Sequence, residues 1–153
     1  MTQSLEEISQ WADAFLDHLS PAAQRKLATE IGRELRRQQQ RQIAAQRNPD
    51  GTPFEARKKN LKKKKGALRR KMFTRLRQAR FMQVAATSAG VSVGYLRSGR
   101  IANIAKTHHF GLSEKTPSGA SIQYPARQLI GLTPASIEAI KSRVLAAMAT
   151  ADV

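Results

Sequence analysis

Apolar positions recur at helical spacing in several stretches of the chain. Leu5, Ile8, Ala12, Phe15 and Leu19 fall on one side of a predicted helix over 4–19, with Trp11 beside them. Ser4 and Glu7 match a capping box, in which each side chain satisfies the other's orphan amide. Ser20-Pro21 breaks that helix and starts a second, with Ser as cap and Pro at the first position. Leu27, Ile31 and Leu35 carry the stripe of this second helix, which the pattern extends over about 21–47. Beyond Leu35 the stripe gives way to Gln38, Gln39, Gln40, Gln42 and Gln46, with Ile43 alone. At 1.5 Å per residue the helix would be ~40 Å long, so its distal half is expected to project or to meet another chain. Asn48-Pro49-Asp50-Gly51 then supplies strong turn chemistry.

Residues 52–66 read as an extended basic arm, bounded by Pro53 and Gly66. Over 67–80, Leu68, Met72 and Leu76 recur every four residues with Phe73 alongside, which predicts a basic amphipathic helix. Phe81 to Thr87 and Val91 to Leu96 have strand character, and Ser88-Ala89-Gly90 would turn them into a hairpin. Ile101, Ile104, Ala105 and His108 predict a short helix, capped by Ser98 and ended by Gly111. Residues 112–120 read as a loop, and Ser121 to Tyr124 as a short strand before Pro125. The last helix is the best marked: Thr133 caps it, Pro134 is its first residue, and Leu132 would staple against Ile137. Ile137, Ile140, Val144 and Met148 form its buried face. The expected fold is α+β: N-terminal helices, a small antiparallel sheet built around a β-hairpin, and a C-terminal amphipathic helix, in one domain over 1–153.

Composition weakens the core that this pattern would build. Leu, Ile, Val and Phe make up only 32 of 153 residues, just above the level that warns of disorder, and much of the remaining apolar content is Ala. A subunit so composed would lean on a partner or an oligomer. The chain has no Cys, which excludes a disulfide frame, thiolate metal ligands and a Cys nucleophile. No apolar run approaches the ~18 residues of a membrane span, and the opening Ser4, Glu6 and Glu7 do not resemble a secretory signal.

Charge is unevenly distributed within the net +16. Residues 1–20 hold four acids and no Lys or Arg, whereas residues 57–80 hold 13 Lys or Arg and no acid. The basic stretch includes Arg57, Lys58, Lys59, Lys62, Lys63, Lys64, Lys65, Arg69, Arg70 and Lys71, the candidate contacts for a polyanion or an acidic protein partner. Phe73 is its single aromatic residue, so single-strand binding by base stacking has little support. Gly90-Val91-Ser92-Val93-Gly94 matches a nucleophile-elbow pattern, but alternating Val and the following Tyr95-Leu96 read as a strand, not as a strand-to-helix turn. His108 and His109 are adjacent on a helix and point about 100° apart, which disfavours a shared metal ion. The sequence therefore predicts neither an enzyme nor a cofactor.

Taken in order, these segments resemble the phage virion morphogenesis family, the tail-completion proteins of contractile-tailed phages and Mu-like prophages. The resemblance spans roughly residues 20–147. It is carried by the helix and turn from Leu27 to Phe54, "LRRKMFTRLRQARFM" from Leu68 to Met82, and "VSVGY" from Val91 to Tyr95. "RIANIAKTHHFGL" from Arg100 to Leu112 and "YPARQLIGLT" from Tyr124 to Thr133 complete it. His109 departs from the pattern, since a Gln or Glu is more usual there.

The resemblance implies a structural protein of the neck or head-proximal tail end, acting in tail completion and head–tail joining. It would work as a homo-oligomeric ring, with a hexamer as the wider group's precedent. Its partners would be other phage tail or neck proteins, with DNA nearby in the particle and no membrane. It would be made in the host cytoplasm and carried in the virion. His108, His109, Phe110, Tyr124 and Arg127 become candidate inter-subunit contacts, with an intra-subunit role for Arg127 the equal alternative. The alternative function, a nonspecific nucleic-acid-binding protein, rests on charge alone.

Overall fold

A computed structural model describes residues 9–10, 13–58, 71–97 and 99–151. It is an α+β structure. Helical backbone at 13–16 precedes helix α1 (Pro21–Ala44), the hairpin strands β1 (Gln83–Ala86) and β2 (Val91–Gly94), and helix α2 (Arg100–Phe110). Strands β3 (Ser113–Lys115) and β4 (Ser121–Gln123) and helix α3 (Pro134–Ala151) follow. The capping box at Ser4 and Glu7, Trp11, the arm beyond Lys58 and the Ser98 cap lie outside the described residues.

Helix α1 begins as its sequence dictates. Ser20 is extended, its Oγ accepts the Ala23 N–H at 3.2 Å, and Pro21 occupies the first turn. The helix ends before residue 47. Gln46 takes a left-handed conformation with φ 58°, and an Arg47–Pro53 bridge closes the turn that follows. In that turn Asp50 Oδ1 accepts both the N–H and the hydroxyl of Thr52, at 2.9 and 2.6 Å.

The distal half of α1 does not project; it packs into its own chain. Ile43 is fully buried, and Gln39, Gln40, Gln42 and Gln46 hydrogen-bond to distant loops. Gln39 donates to the Gly131 carbonyl at 2.6 Å and accepts the Gly131 N–H at 3.1 Å. Gln46 treats Met72 the same way, at 2.9 and 2.6 Å. Gln40 donates to the Arg77 carbonyl at 2.7 Å. Each primary amide offers a donor and an acceptor side by side, so it pairs with a peptide unit much as a neighbouring strand would.

The expected helix over 67–80 is replaced in its described part, 71–80, by turns. Gln46 takes up both backbone groups of Met72, and Phe73 has φ 64°, which interrupts a right-handed helix at that point. Met72 and Leu76 are nonetheless buried, as their spacing suggested. They join Ile43, Phe54, Met82, Ala105 and Leu129 in the core, against which Phe73, Val93, Tyr95, Ile101, Ile104 and Ile130 pack.

Strands β1 and β2 form the expected antiparallel hairpin, with Val84 opposite Val93 and Ala86 opposite Val91. The hairpin lies on α1 at Gly32. A Cβ there would collide with the side chains of Val84 and Val91, so glycine permits the close approach of helix and sheet.

Helix α2 starts after Gly99, which provides no side-chain cap, and ends at Gly111 in the left-handed region. The segment 112–120, expected to be loop, contributes β3. It pairs with β4 in a second antiparallel hairpin in register Glu114–Ile122. Its strand residues are exposed on both faces, so no apolar alternation marked it in the sequence.

Helix α3 has the predicted cap, with Thr133 Oγ1 accepting the Ser136 N–H at 3.1 Å. Ile137, Ile140, Val144 and Met148 are half-buried along one side, and α3 packs against α1. Arg143 and Glu30 bridge the two helices at 3.8 Å. Leu132, expected to staple against Ile137, is instead 58% exposed.

Candidate functional site

Candidate residues from distant parts of the chain converge on one cleft. It has a volume of about 430 Å³ and is lined by Arg57, Lys58, Met72, Phe73, His108 and Arg127, with Ile122 to Pro125 along one side. Three chain segments place these side chains. Phe54 is buried and fixes the start of the basic arm. The Gln46 clamp fixes Met72 and thereby Phe73. The turn at Gly111 brings residues 124–127 back along the end of α2.

That return is closely packed. A Cβ at Gly111 would lie 2.7 Å from the Ala126 nitrogen and 3.0 Å from the Tyr124 oxygen, and both are backbone atoms that cannot swing aside. The Tyr124 N–H donates to the Leu112 carbonyl at 3.2 Å, and the Arg127 N–H to the His108 carbonyl at 2.7 Å. Pro125 keeps Tyr124 out of the helical region.

A chain of edge-to-face rings forms one wall. Phe54 and Phe73 have centroids 5.7 Å apart, Phe73 and His108 5.0 Å, and His108 and Tyr124 4.9 Å, with interplanar angles of 83°, 61° and 75°. This is the favourable offset arrangement of aromatic quadrupoles. The sequence singled out His108 and Tyr124 but not the contact of His108 with Phe73. Phe73, as the lone aromatic in a basic block, was the one available signal.

Arg127 is 4% exposed. Its Nε donates to the Glu55 carbonyl at 2.7 Å and one terminal nitrogen to the Ala56 carbonyl at 3.2 Å. These bonds tie the root of the basic arm to the 124–127 loop within the chain. Desolvation holds its pKa below the usual arginine value; Glu55 opposes that shift and Arg57 adds to it. Its partners are carbonyl oxygens, and it pairs with no carboxylate among the described residues.

His108 is also held below its ordinary pKa, first by desolvation and then by Arg127, with Glu114 opposing and Arg57 reinforcing. Its Nδ1 is buried without a hydrogen-bond partner among the described residues. His109 points elsewhere. Its Nδ1 accepts the Leu129 N–H at 3.2 Å, which fixes the tautomer with the proton on Nε2, and burial lowers its pKa. Phe110, 63% exposed, stacks edge-on against His109 at 4.6 Å.

Of the basic residues proposed from the sequence, Arg57 and Lys58 reach the cleft. Lys71 is exposed beside it but does not line it. Lys59, Lys62, Lys63, Lys64, Lys65, Arg69 and Arg70 lie outside the described residues. Ser92 of the elbow-like motif is exposed in the middle of β2, opposite Ala85. Among the described residues no group of three or more His, Asp or Glu could hold a metal ion, and no helix is long and apolar enough to cross a membrane.

Comparison with known proteins agrees with the order of these segments. The model of the phage virion morphogenesis family matches residues 3–149. Tail completion protein S of Escherichia phage P2 is 39% identical over 133 residues, which cover 86% of this chain and 88% of that protein. No solved structure matches the chain. Neither match lends support to the nucleic-acid-binding alternative.

Proposed function

The chain belongs to the phage virion morphogenesis family, and from that premise we propose that it is a structural component that completes the phage tail and joins it to the head. The observation that carries this reading is its similarity, over most of both chains, to a tail completion protein. The protein acts by docking, without turnover. It assembles as a homo-oligomeric ring at the head-proximal end of the tail, and six subunits is the first stoichiometry to test. It contacts other tail or neck proteins, lies near DNA in the particle, and passes from the host cytoplasm into the virion.

Physical features of the chain suit such a role. Its core is small and its net charge is +16, so a stable position in a larger assembly adds burial that the free chain lacks. The basic stretch over 52–66, in one domain with the rest, is anchored near its start by the buried Phe54.

Electron microscopy of lysates from phage lacking this gene tests the reading. Full heads lying separate from tails are the expected result; normal particles would refute a joining role. Light scattering of the purified protein, alone and with tails, tests the ring.

A further inference from the structure

The cleft between the arm root and the 122–127 segment has a chemistry that specifies its occupant. Arg57, Lys58 and Arg127 line it, His108 faces it, and no acidic side chain does among the described residues. The nearby acids, Glu55 and Glu114, lie outside the lining. A guanidinium as buried as that of Arg127, satisfied by two carbonyl oxygens, retains a positive charge that an anion would neutralise. Between the cations the surface is apolar: Met72, Phe73, Ile122 and Pro125. Ile122, in a short strand, is 40% exposed.

Two features favour a protein over a nucleic acid. The rings in the cleft are turned edge-to-face on one another, so they do not line up as the parallel platforms on which successive bases stack. The cleft is also bordered by β4, whose sheet has only two strands, so β4 has no strand on its far side among the described residues. An open strand edge accepts an extended peptide by β-strand addition.

We propose that this cleft docks an extended acidic segment of a partner protein. Its carboxylates face Arg57, Lys58 and Arg127, and its intervening apolar side chains rest on Met72, Phe73 and Ile122. The assignment rests on the reading of the chain as an assembly protein and names the chemistry of one contact in that assembly.

Fluorescence anisotropy with two labelled octapeptides tests it, one alternating Glu with Val and one alternating Lys with Val, at about 150 mM salt. Lys58→Glu and Arg33→Glu lower the net charge equally, but Arg33 lies exposed on α1, away from the cleft. The Glu/Val peptide should bind the parent protein and the Lys/Val peptide should not. Lys58→Glu and Ile122→Asp should each weaken Glu/Val binding about tenfold or more, and Arg33→Glu less than about threefold.

Equal losses from Lys58→Glu and Arg33→Glu would reduce the effect to diffuse charge and overturn the site. So would failure of the parent to bind the Glu/Val peptide. A short DNA duplex whose binding is lost selectively on Lys58→Glu would instead assign the cleft to nucleic acid. Because the assay needs no virion, failure here with head–tail joining intact rejects the cleft alone. Normal particles without the gene reject the assembly reading itself.

Discussion

Gln39 and Gly131, 92 residues apart, exchange two hydrogen bonds, with the side-chain amide of one closing on the peptide unit of the other. Gln39 is buried, so its loss strands a peptide N–H and carbonyl in a place where water does not readily replace it. Gln39→Leu should therefore cost about 1–3 kcal/mol despite adding apolar surface. Urea unfolding of the variant against the parent measures this; an unchanged midpoint would show that the clamp contributes nothing.

Gly32 tests the contact between α1 and the first hairpin. In an isolated helix, Gly→Ala gains about 1 kcal/mol. Here the added Cβ meets Val84 and Val91, and the helix and hairpin must separate. Gly32→Leu should destabilise by about 1–3 kcal/mol, with Gly32→Ala falling short of its helix-propensity gain. Thermal melts of both variants check the ordering.

Tyr95 carries a buried hydroxyl with no hydrogen-bond partner among the described residues, and burial raises its pKa above the ordinary phenol value. Tyr95→Phe removes the unsatisfied group and keeps the ring in the core. The variant should be at least as stable as the parent, measured by Tm. A clear drop in Tm would mean that the hydroxyl has a partner.

His108 and His109 both have folded-state pKa values below their ordinary value, so the unfolded chain binds protons that the folded chain does not. Their contribution is fully present above the unfolded pKa of about 6.5 and declines as pH falls below it. Stability should drop between about pH 7 and 5, and His109→Gln, which can still accept the Leu129 N–H, should flatten that slope. The slope is read from melts across this range; one unaffected by His109→Gln would remove His109 from the account.

Local chemistry made much of the fold legible. Ser20-Pro21, Asn48 to Gly51, Gly111 and Thr133-Pro134 act within a few residues of themselves, and each lies where its type predicts. What escaped depends on distant partners. A polar run such as Gln38 to Gln46 reads as a solvated surface until the loops that its amides clamp are in place. Met72 to Leu76 has helical spacing, but Gln46 diverts the backbone bonds that a helix would use. β3 and β4 carry no apolar alternation because both their faces are exposed.

The cleft was legible in parts. Its Arg57, Lys58, His108, Tyr124 and Arg127 stood out by type, but their convergence depends on Gly111 and on carbonyls that have no sequence signature.

The central claim is that this chain finishes a phage tail by becoming part of it. The most direct measurement adds purified protein to a lysate of phage lacking the gene and counts plaque-forming units. The account predicts that infectivity rises with added protein and that the purified particles retain the chain. A lysate already infectious at the parental titre without it would contradict the account.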